Sequence, residues 1–193
     1  LEELDVTGKE GTPGIRGVAA DVFSGLTKLK KLNASNNSFS GDLSWLKNLS
    51  ALQTLRLDGN QLSGQLDLSQ FSPNLTDVYL SNNKLEGNLN GISTLTKVRN
   101  LYLEHNLLSG ELPAELGNCS TLSYFYLSNN NITGTIPVEV AKMNLGYSGL
   151  KLNGNRMSGE IPAEVLSSAV WKKLYPETNI YPQQEGYGFS NVK

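Results

Sequence analysis

Apolar and polar residues alternate in short stretches that recur along the chain at a nearly constant interval, and each stretch is followed by an asparagine. These asparagines are Asn37, Asn60, Asn83, Asn106, Asn130 and Asn155. Self-similarity at a period of about 23 residues indicates one structural unit stacked many times, because such a unit cannot bury its apolar face alone. The pattern therefore predicts a repeat solenoid.

Each copy places apolar residues eight, five and three positions before its asparagine, as Leu52, Leu55 and Leu57 stand before Asn60. Period-two alternation is typical of a short strand with one buried and one solvated face. An amide side chain both donates and accepts hydrogen bonds, so we expect the six asparagines to form a structural column that satisfies backbone groups. Four positions after each asparagine stands a glycine, which permits backbone conformations closed to other residues.

The motif L-x-x-L-x-L-x-x-N continues in later copies as Leu108-Ser-Gly-Glu-Leu-Pro113 and Met157-Ser-Gly-Glu-Ile-Pro162. It resembles the leucine-rich repeats of the plant-receptor subtype, although the paired cysteines that flank those arrays are missing. The tail Tyr181-Pro-Gln-Gln-Glu-Gly-Tyr-Gly-Phe189 resembles instead the ending of bacterial surface leucine-rich-repeat proteins of the Bacteroides group. The resemblance implies an α/β-type repeat solenoid: a curved right-handed array with a parallel concave sheet of about seven short strands and a mostly irregular or 3-10 convex side.

Departures from the motif predict the organisation of a single domain over residues 1–193. Residues 29–162 are regular repeats. Residues 1–28 are a variant or truncated repeat, in which Lys9 replaces the asparagine and a glycine-rich stretch holds an insertion. Residues 163–193 form a C-terminal cap and tail, with an amphipathic helix over Ala163–Leu174 that stops at Pro176. Because the chain opens in the middle of a repeat, we expect a natural N-terminus with any targeting signal to have been removed.

The concave side is where a ligand is expected, since packing does not dictate the residues six, four, two and one positions before each asparagine. The column at minus four reads Asp5, Asn33, Arg56, Tyr79, Tyr102, Tyr126 and Lys151. Tyr124 joins it from minus six. Tyrosine offers a large apolar area, a polar tip and few rotors to freeze, and is therefore favoured at binding centres.

Two interpretations of the tyrosines stay open at this point. They form a binding surface, or they form a cross-strand ladder that only stabilises the sheet. The residues predicted to surround them as a polar rim are Arg56, Asp58, Glu104, His105, Asn129, Lys151 and Asn153.

Composition narrows the classes of partner. Sixteen Lys and Arg against eighteen Asp and Glu give a formal charge of -2, which speaks against nucleic acid and anionic membranes as partners. The sequence contains no run of about 18 apolar residues, so it predicts no segment that inserts into a membrane. A single cysteine, Cys119, cannot form a disulfide within the chain, and we expect it to be buried.

Catalysis is not expected, although Ser81, Ser128, Glu104 and the single histidine, His105, share the predicted face. His105 follows Glu104 directly, so on an extended strand the two side chains diverge. The sequence has no metal-ligand spacing and no phosphate-binding glycine loop, and we expect neither a metal nor another cofactor.

The function predicted from these features is recognition of a protein or peptide on the concave face, at the cell surface or outside the cell. Two alternatives remain: a carbohydrate-binding surface, in which tyrosine faces stack on sugar rings, and a structural spacer within a larger surface protein. The sequence leaves the oligomeric state open.

Overall fold

The computed structural model describes residues 1–9, 12, 14–174 and 176–191, with no account of the side chains of residues 176 and 177. Seven strands in consecutive order form one parallel sheet, as the repeat motif predicted. They are β1 (Glu3–Asp5), β3 (Lys31–Asn33), β5 (Thr54–Arg56), β7 (Asp77–Tyr79), β9 (Asn100–Tyr102), β11 (Tyr124–Tyr126) and β13 (Leu150–Lys151).

Register in this sheet aligns equivalent repeat positions. Leu55 pairs with Val78, and Val78 pairs with Leu101. These central residues are fully buried, while the residues on either side of them face outward at least in part. The motif thus sends one apolar side chain per strand into the core and leaves two for the opposite face.

A second set of parallel strands, which the sequence did not predict, lies along the flank of the solenoid. Its members are β2 (Arg16–Val18), β4 (Ser38–Gly41), β6 (Gln61–Leu66) and β8 (Lys84–Gly87), followed by the pairs β10 (Ser109–Glu111) with β12 (Asn131–Thr133) and β14 (Ser158–Gly159) with β15 (Gly188–Phe189). The motif glycines within or beside these strands adopt φ between 72° and 97°. That left-handed conformation is open to glycine at little cost, as the motif predicted.

The outer side is built largely from short 3-10 segments, in agreement with the prediction. They span Ser44–Asn48, Leu68–Gln70, Ile92–Thr94, Ala114–Asn118 and Val138–Lys142, and the short helix α1 (Ala19–Phe23) stands in the corresponding place of the first repeat. One continuous core runs between these segments and the concave sheet.

The asparagine column connects consecutive repeats by a recurring set of bonds. Asn130 accepts the amide of Leu108 at 2.9 Å and donates to the carbonyls of Leu103 and Leu127, both at 3.0 Å. Each column asparagine makes the equivalent bonds to its own repeat and the one before. Buried backbone groups are satisfied in this way where the chain leaves each strand.

The first repeat differs by an insertion. Asn37 donates to the carbonyl of Val6 and accepts the amide of Ile15, while Asn83 makes the same two bonds to Leu57 and Leu62. The anchor points are thus nine residues apart in the first repeat and five in a regular one. The extra residues fall in the glycine-rich stretch between Val6 and Ile15.

At the C-terminal end the predicted single helix over Ala163–Leu174 is wrong. The segment forms two helices, α2 (Ala163–Ser167) and α3 (Ala169–Lys173). Ser168 separates them because its backbone is extended and its hydroxyl accepts the amide of Trp171, which begins a new helix.

Helical structure also does not stop at Pro176, because α4 (Pro176–Asn179) begins there. Proline is well suited to the first turn of a helix, where its missing N–H is not needed. None of the helices in the described part of the chain is long and apolar enough to cross a membrane.

Candidate functional site

Three tyrosines at the same position of neighbouring strands form a continuous stack on the concave face. The rings of Tyr79 and Tyr102 stack with centroids 4.7 Å apart, and Tyr102 meets Tyr126 edge to face, also at 4.7 Å. Tyr124 adds an edge-to-face contact with Tyr126 at 6.3 Å. We call these four residues the tyrosine patch. Parallel pairing produces it, because it places equivalent side chains side by side.

A cation lies at each end of the stack. The guanidinium carbon of Arg56 lies 4.2 Å from the centroid of Tyr79, and Nζ of Lys151 lies 4.2 Å from that of Tyr126. Both distances are within the range of cation–π attraction. The predicted binding residues Arg56 and Lys151 therefore contact the predicted tyrosines directly.

The four tyrosines of the patch are half-buried. Burial, with smaller contributions from the neighbouring tyrosines and Glu104, raises the pKa of Tyr102 to about 12. Burial likewise raises the pKa of Tyr126. Both hydroxyls remain protonated near neutral pH and can donate hydrogen bonds to a ligand.

The predicted carboxylates of Asp58 and Glu104 each lie two residues after the end of a strand, along the same edge of the sheet. Asp58 accepts the hydroxyl of Ser35 at 2.7 Å, and Glu104 accepts that of Ser81 at 2.8 Å. In the same column Asn153 accepts the hydroxyl of Ser128 at 2.7 Å. These bonds connect consecutive repeats and fix the orientation of each acceptor.

Residues two and one positions before each asparagine follow the strands and are not part of them, which corrects the expectation that they are strand residues. His105 and Asn129 both have left-handed backbones, with φ of 56° and 57°. Asparagine and glycine tolerate this conformation best and occupy the other copies. Nε2 of His105 lies 3.3 Å from Nδ2 of Asn129, at the rim of the face.

Sequence reasoning missed a polar pair beside the patch. Nδ2 of Asn100 donates to Oδ1 of Asp77, and the hydroxyl of Thr76 donates to the other carboxylate oxygen at 2.7 Å. Asp77 and Asn100 occupy the same repeat position as Tyr124, six before the asparagine. That shared position is the signal that could have identified them.

Toward the first repeat the concave face opens into a depression of about 440 Å³. The polar residues around it are Glu3, Asp5, Lys31, Asn33, Thr54 and Arg56. The sheet therefore offers a shallow surface next to the tyrosines, and not a deep enclosed pocket.

Groups for covalent or metal chemistry do not converge in the described part of the chain. The hydroxyl of Ser81 is bonded to Glu104, and the contact recorded for His105 is with Asn129. No group of three or more His, Cys, Asp or Glu in those residues is arranged to hold a metal ion. Cys119 is buried, and burial raises the pKa of its thiol.

Comparison with known proteins gives two matches to family models. One, described as leucine rich repeat, covers residues 12–62. A second of the same description covers residues 97–119 and 121–143. Together these ranges make up about half of the chain.

Solved structures of several plant receptors have the same architecture. The plant peptide hormone receptor RGFR1, in complex with RGF2, aligns with a TM-score of 0.75 and 31% identity over 86% of this chain and 26% of its own. The Arabidopsis receptor kinase HAESA, in complex with the peptide hormone IDA and the co-receptor SERK1, aligns with a TM-score of 0.78 and 27% identity. The alignment covers 90% of this chain and 28% of the HAESA chain.

A third structure is the ectodomain of the membrane receptor kinase GASSHO1/SCHENGEN3 from Arabidopsis thaliana in complex with Casparian strip integrity factor 2. It aligns with a TM-score of 0.67 and 27% identity over 86% of this chain and 23% of its own. The chain thus spans about a quarter of the length of these receptors. The resemblance to bacterial surface proteins expected from the tail finds no support in these matches.

Proposed function

Because this chain belongs to the leucine-rich-repeat family, we propose that it is a non-enzymatic recognition module that binds a protein or peptide on its concave face, through the tyrosine patch. The observation that carries this proposal is the stack of Tyr79, Tyr102 and Tyr126 with a cation at either end. Peptide hormones are bound by related plant receptors, and extended peptides suit long shallow surfaces.

Within the stack, Tyr79 has its edge and hydroxyl left for a ligand. Arg56 and Tyr102 approach Tyr79 from the two neighbouring strands, so the faces of its ring are already covered. Sugar rings stack on open aromatic faces, and this arrangement therefore disfavours the carbohydrate alternative. Protonated hydroxyls along the patch suit the carbonyl groups of an extended backbone.

We propose that this recognition takes place outside the cell or at its surface, because the structure resembles those of plant receptors, one of them a receptor-kinase ectodomain. The alternative of a structural spacer predicts that the patch has no ligand. The two are separated by loss of binding when the tyrosines are changed.

A peptide-display selection against the unaltered chain tests the proposal. Selected peptides are then measured against a variant carrying Tyr79→Ser and Tyr124→Ser and against a control carrying Tyr147→Ser and Tyr187→Ser. The control loses two exposed tyrosines that contact no ring of the patch among the described residues. Circular dichroism checks that all three chains fold alike.

We expect the selected peptides to bind the control as well as the unaltered chain and to lose at least about tenfold in affinity for the patch variant. Equal binding to both variants, or a selection that enriches no peptide, would contradict the proposal and favour the interpretation of the protein as a structural spacer.

A further inference from the structure

Acidic and basic groups on the concave face differ in how they are satisfied. Four carboxylates on or beside the concave sheet each accept a hydrogen bond from a neighbouring hydroxyl or amide. They are Asp5, Asp58, Asp77 and Glu104. Arg56 and Lys151 lie on ring faces instead, and neither belongs to a salt bridge among the described residues, although Arg56 contributes to lowering the pKa of Asp5.

Other cations at this sheet do form salt bridges. Lys31, on β3, pairs with Glu3 at 2.8 Å, and the adjacent Lys30 pairs with Glu2 at 2.9 Å. The concave face therefore pairs its N-terminal lysines with carboxylates, while the two cations at the ends of the tyrosine stack lie on aromatic rings and form no salt bridge among the described residues. A cation lying on an aromatic face is partly desolvated, which strengthens its attraction to an incoming carboxylate.

The spacing of the two cations defines the ligand further. Arg56 is on β5 and Lys151 on β13, four strands apart, which corresponds to roughly 19 Å. A polyproline-like chain advances about 3.1 Å per residue with three residues per turn, so residues i, i+3 and i+6 share a face and the outer two are about 19 Å apart. Six residues of such a peptide match the distance between the cations.

We infer that the concave face selects an extended acidic peptide with two carboxylate side chains six residues apart, one at Arg56 and one at Lys151, and an apolar residue or proline midway above Tyr102. This inference rests on the proposed function, because it specifies the ligand of the same surface. Its orientation along the sheet is perpendicular to the strands, parallel to the tyrosine stack.

The same selected peptides test this inference when the cations are changed. One variant carries Arg56→Gln and Lys151→Gln. Its control carries Arg16→Gln and Lys84→Gln, two exposed cations on β2 and β8 of the flank, so the net charge of the two variants is equal. The synthetic probe is Asp-Ala-Ala-Pro-Ala-Ala-Asp, compared with versions that carry Asn at both ends or the two Asp residues three positions apart.

We expect enrichment of acidic residues at a spacing of six, and a loss of roughly ten- to a hundredfold in affinity for the variant that lacks both cations. The control should bind as the unaltered chain does, and added salt should weaken binding to the unaltered chain. The probe with Asn at both ends, and the one with Asp residues three positions apart, should bind more weakly than the probe with a spacing of six.

Peptides that need the tyrosines but bind the Arg56→Gln/Lys151→Gln variant unchanged would overturn the inference and leave the proposed function standing. Equal affinity for all three probes would also overturn it. A selection in which no peptide depends on the tyrosines would overturn both.

Discussion

Tyr102 and Tyr126 meet edge to face across β9 and β11 with ring centroids 4.7 Å apart, although both also line the candidate binding surface. Their contact stabilises the sheet whether or not a ligand is present. The structural and functional interpretations of the tyrosines are therefore compatible, and they make separate predictions for stability and for binding.

Removing the central tyrosine should destabilise the fold. Tyr102→Ala deletes contacts with both Tyr79 and Tyr126, and we expect it to lower the free energy of unfolding by about 1 to 3 kcal/mol. Tyr187→Ala, at a position 47% exposed, should change it by less than about 0.5 kcal/mol. Urea unfolding followed by circular dichroism measures both, and equal effects would show that the stack contributes nothing to stability.

High pH should weaken the fold through the same residue. The raised pKa of Tyr102, about 12 in the folded state, means that folding favours its protonated form. The associated stability is fully present below the unfolded pKa of about 10 and is lost as pH rises through about 12.

Tyr102→Phe has no proton to lose and should therefore reduce the fall in unfolding free energy between those pH values. Spectrophotometric titration should show that it also removes one late-ionising tyrosine. An unchanged late phase would contradict the assignment, and Tyr187→Phe provides the control.

Asparagines of the column should differ in importance according to their burial. The side chain of Asn130 bonds four backbone groups, and the residue is 2% exposed, so Asn130→Ala should cost about 3 to 5 kcal/mol by leaving these groups unsatisfied. Asn83 makes the equivalent bonds but is only partly buried, so water can replace some of them. We expect Asn83→Ala to cost less in the same unfolding experiment, and the reverse order would argue against the burial explanation.

The sequence predicted those parts of the fold that are encoded within a single repeat and recur in every copy. Leu55, Val78 and Leu101 predict the concave strands because each copy alternates apolar and polar residues. The flank strands were not predicted, because they form only when stacked repeats pair, as Gly64 does with Leu85. Their own sequences lack the alternation of apolar and polar residues that would distinguish a strand from a turn.

The candidate site was predicted to a similar depth. Register alone places Tyr79, Tyr102 and Tyr126 side by side, because they share one repeat position. The contacts of Arg56 and Lys151 with the terminal rings depend on rotamers, which the repeat pattern does not specify. The break at Ser168 depends on one side-chain capping bond and was equally out of reach.

Backbone conformation, and not chemistry, should determine which residues are tolerated at His105. Its φ of 56° is accessible to asparagine, which occupies the same position at residue 129 with φ of 57°. We expect His105→Asn to change the unfolding free energy by less than about 0.5 kcal/mol. His105→Val should cost about 1 to 2 kcal/mol, because a β-branched residue is strained there. Equal costs for the two substitutions would mean that the imidazole itself matters.

Gln183 does for the last repeat what an asparagine does for the others. Its Oε1 accepts the amide of Met157 at 3.1 Å, and its Nε2 donates to the carbonyls of Leu152 and Ile180. These are the bonds that Asn155 makes to Ile132, Leu127 and Leu152. The C-terminal tail therefore closes the solenoid as a degenerate repeat, in which glutamine replaces the asparagine.

Gln183→Ala should consequently open the end of the solenoid without unfolding its centre. We expect amide hydrogen exchange of Met157 to accelerate by about tenfold or more, because its acceptor is lost and the tail is held less firmly. The amide of Leu85, bonded to Asn106 in the middle of the array, serves as the internal control and should be unchanged. Uniform acceleration at both amides would mean that the repeats unfold together, while unchanged exchange at Met157 would show that the remaining contacts of the tail suffice.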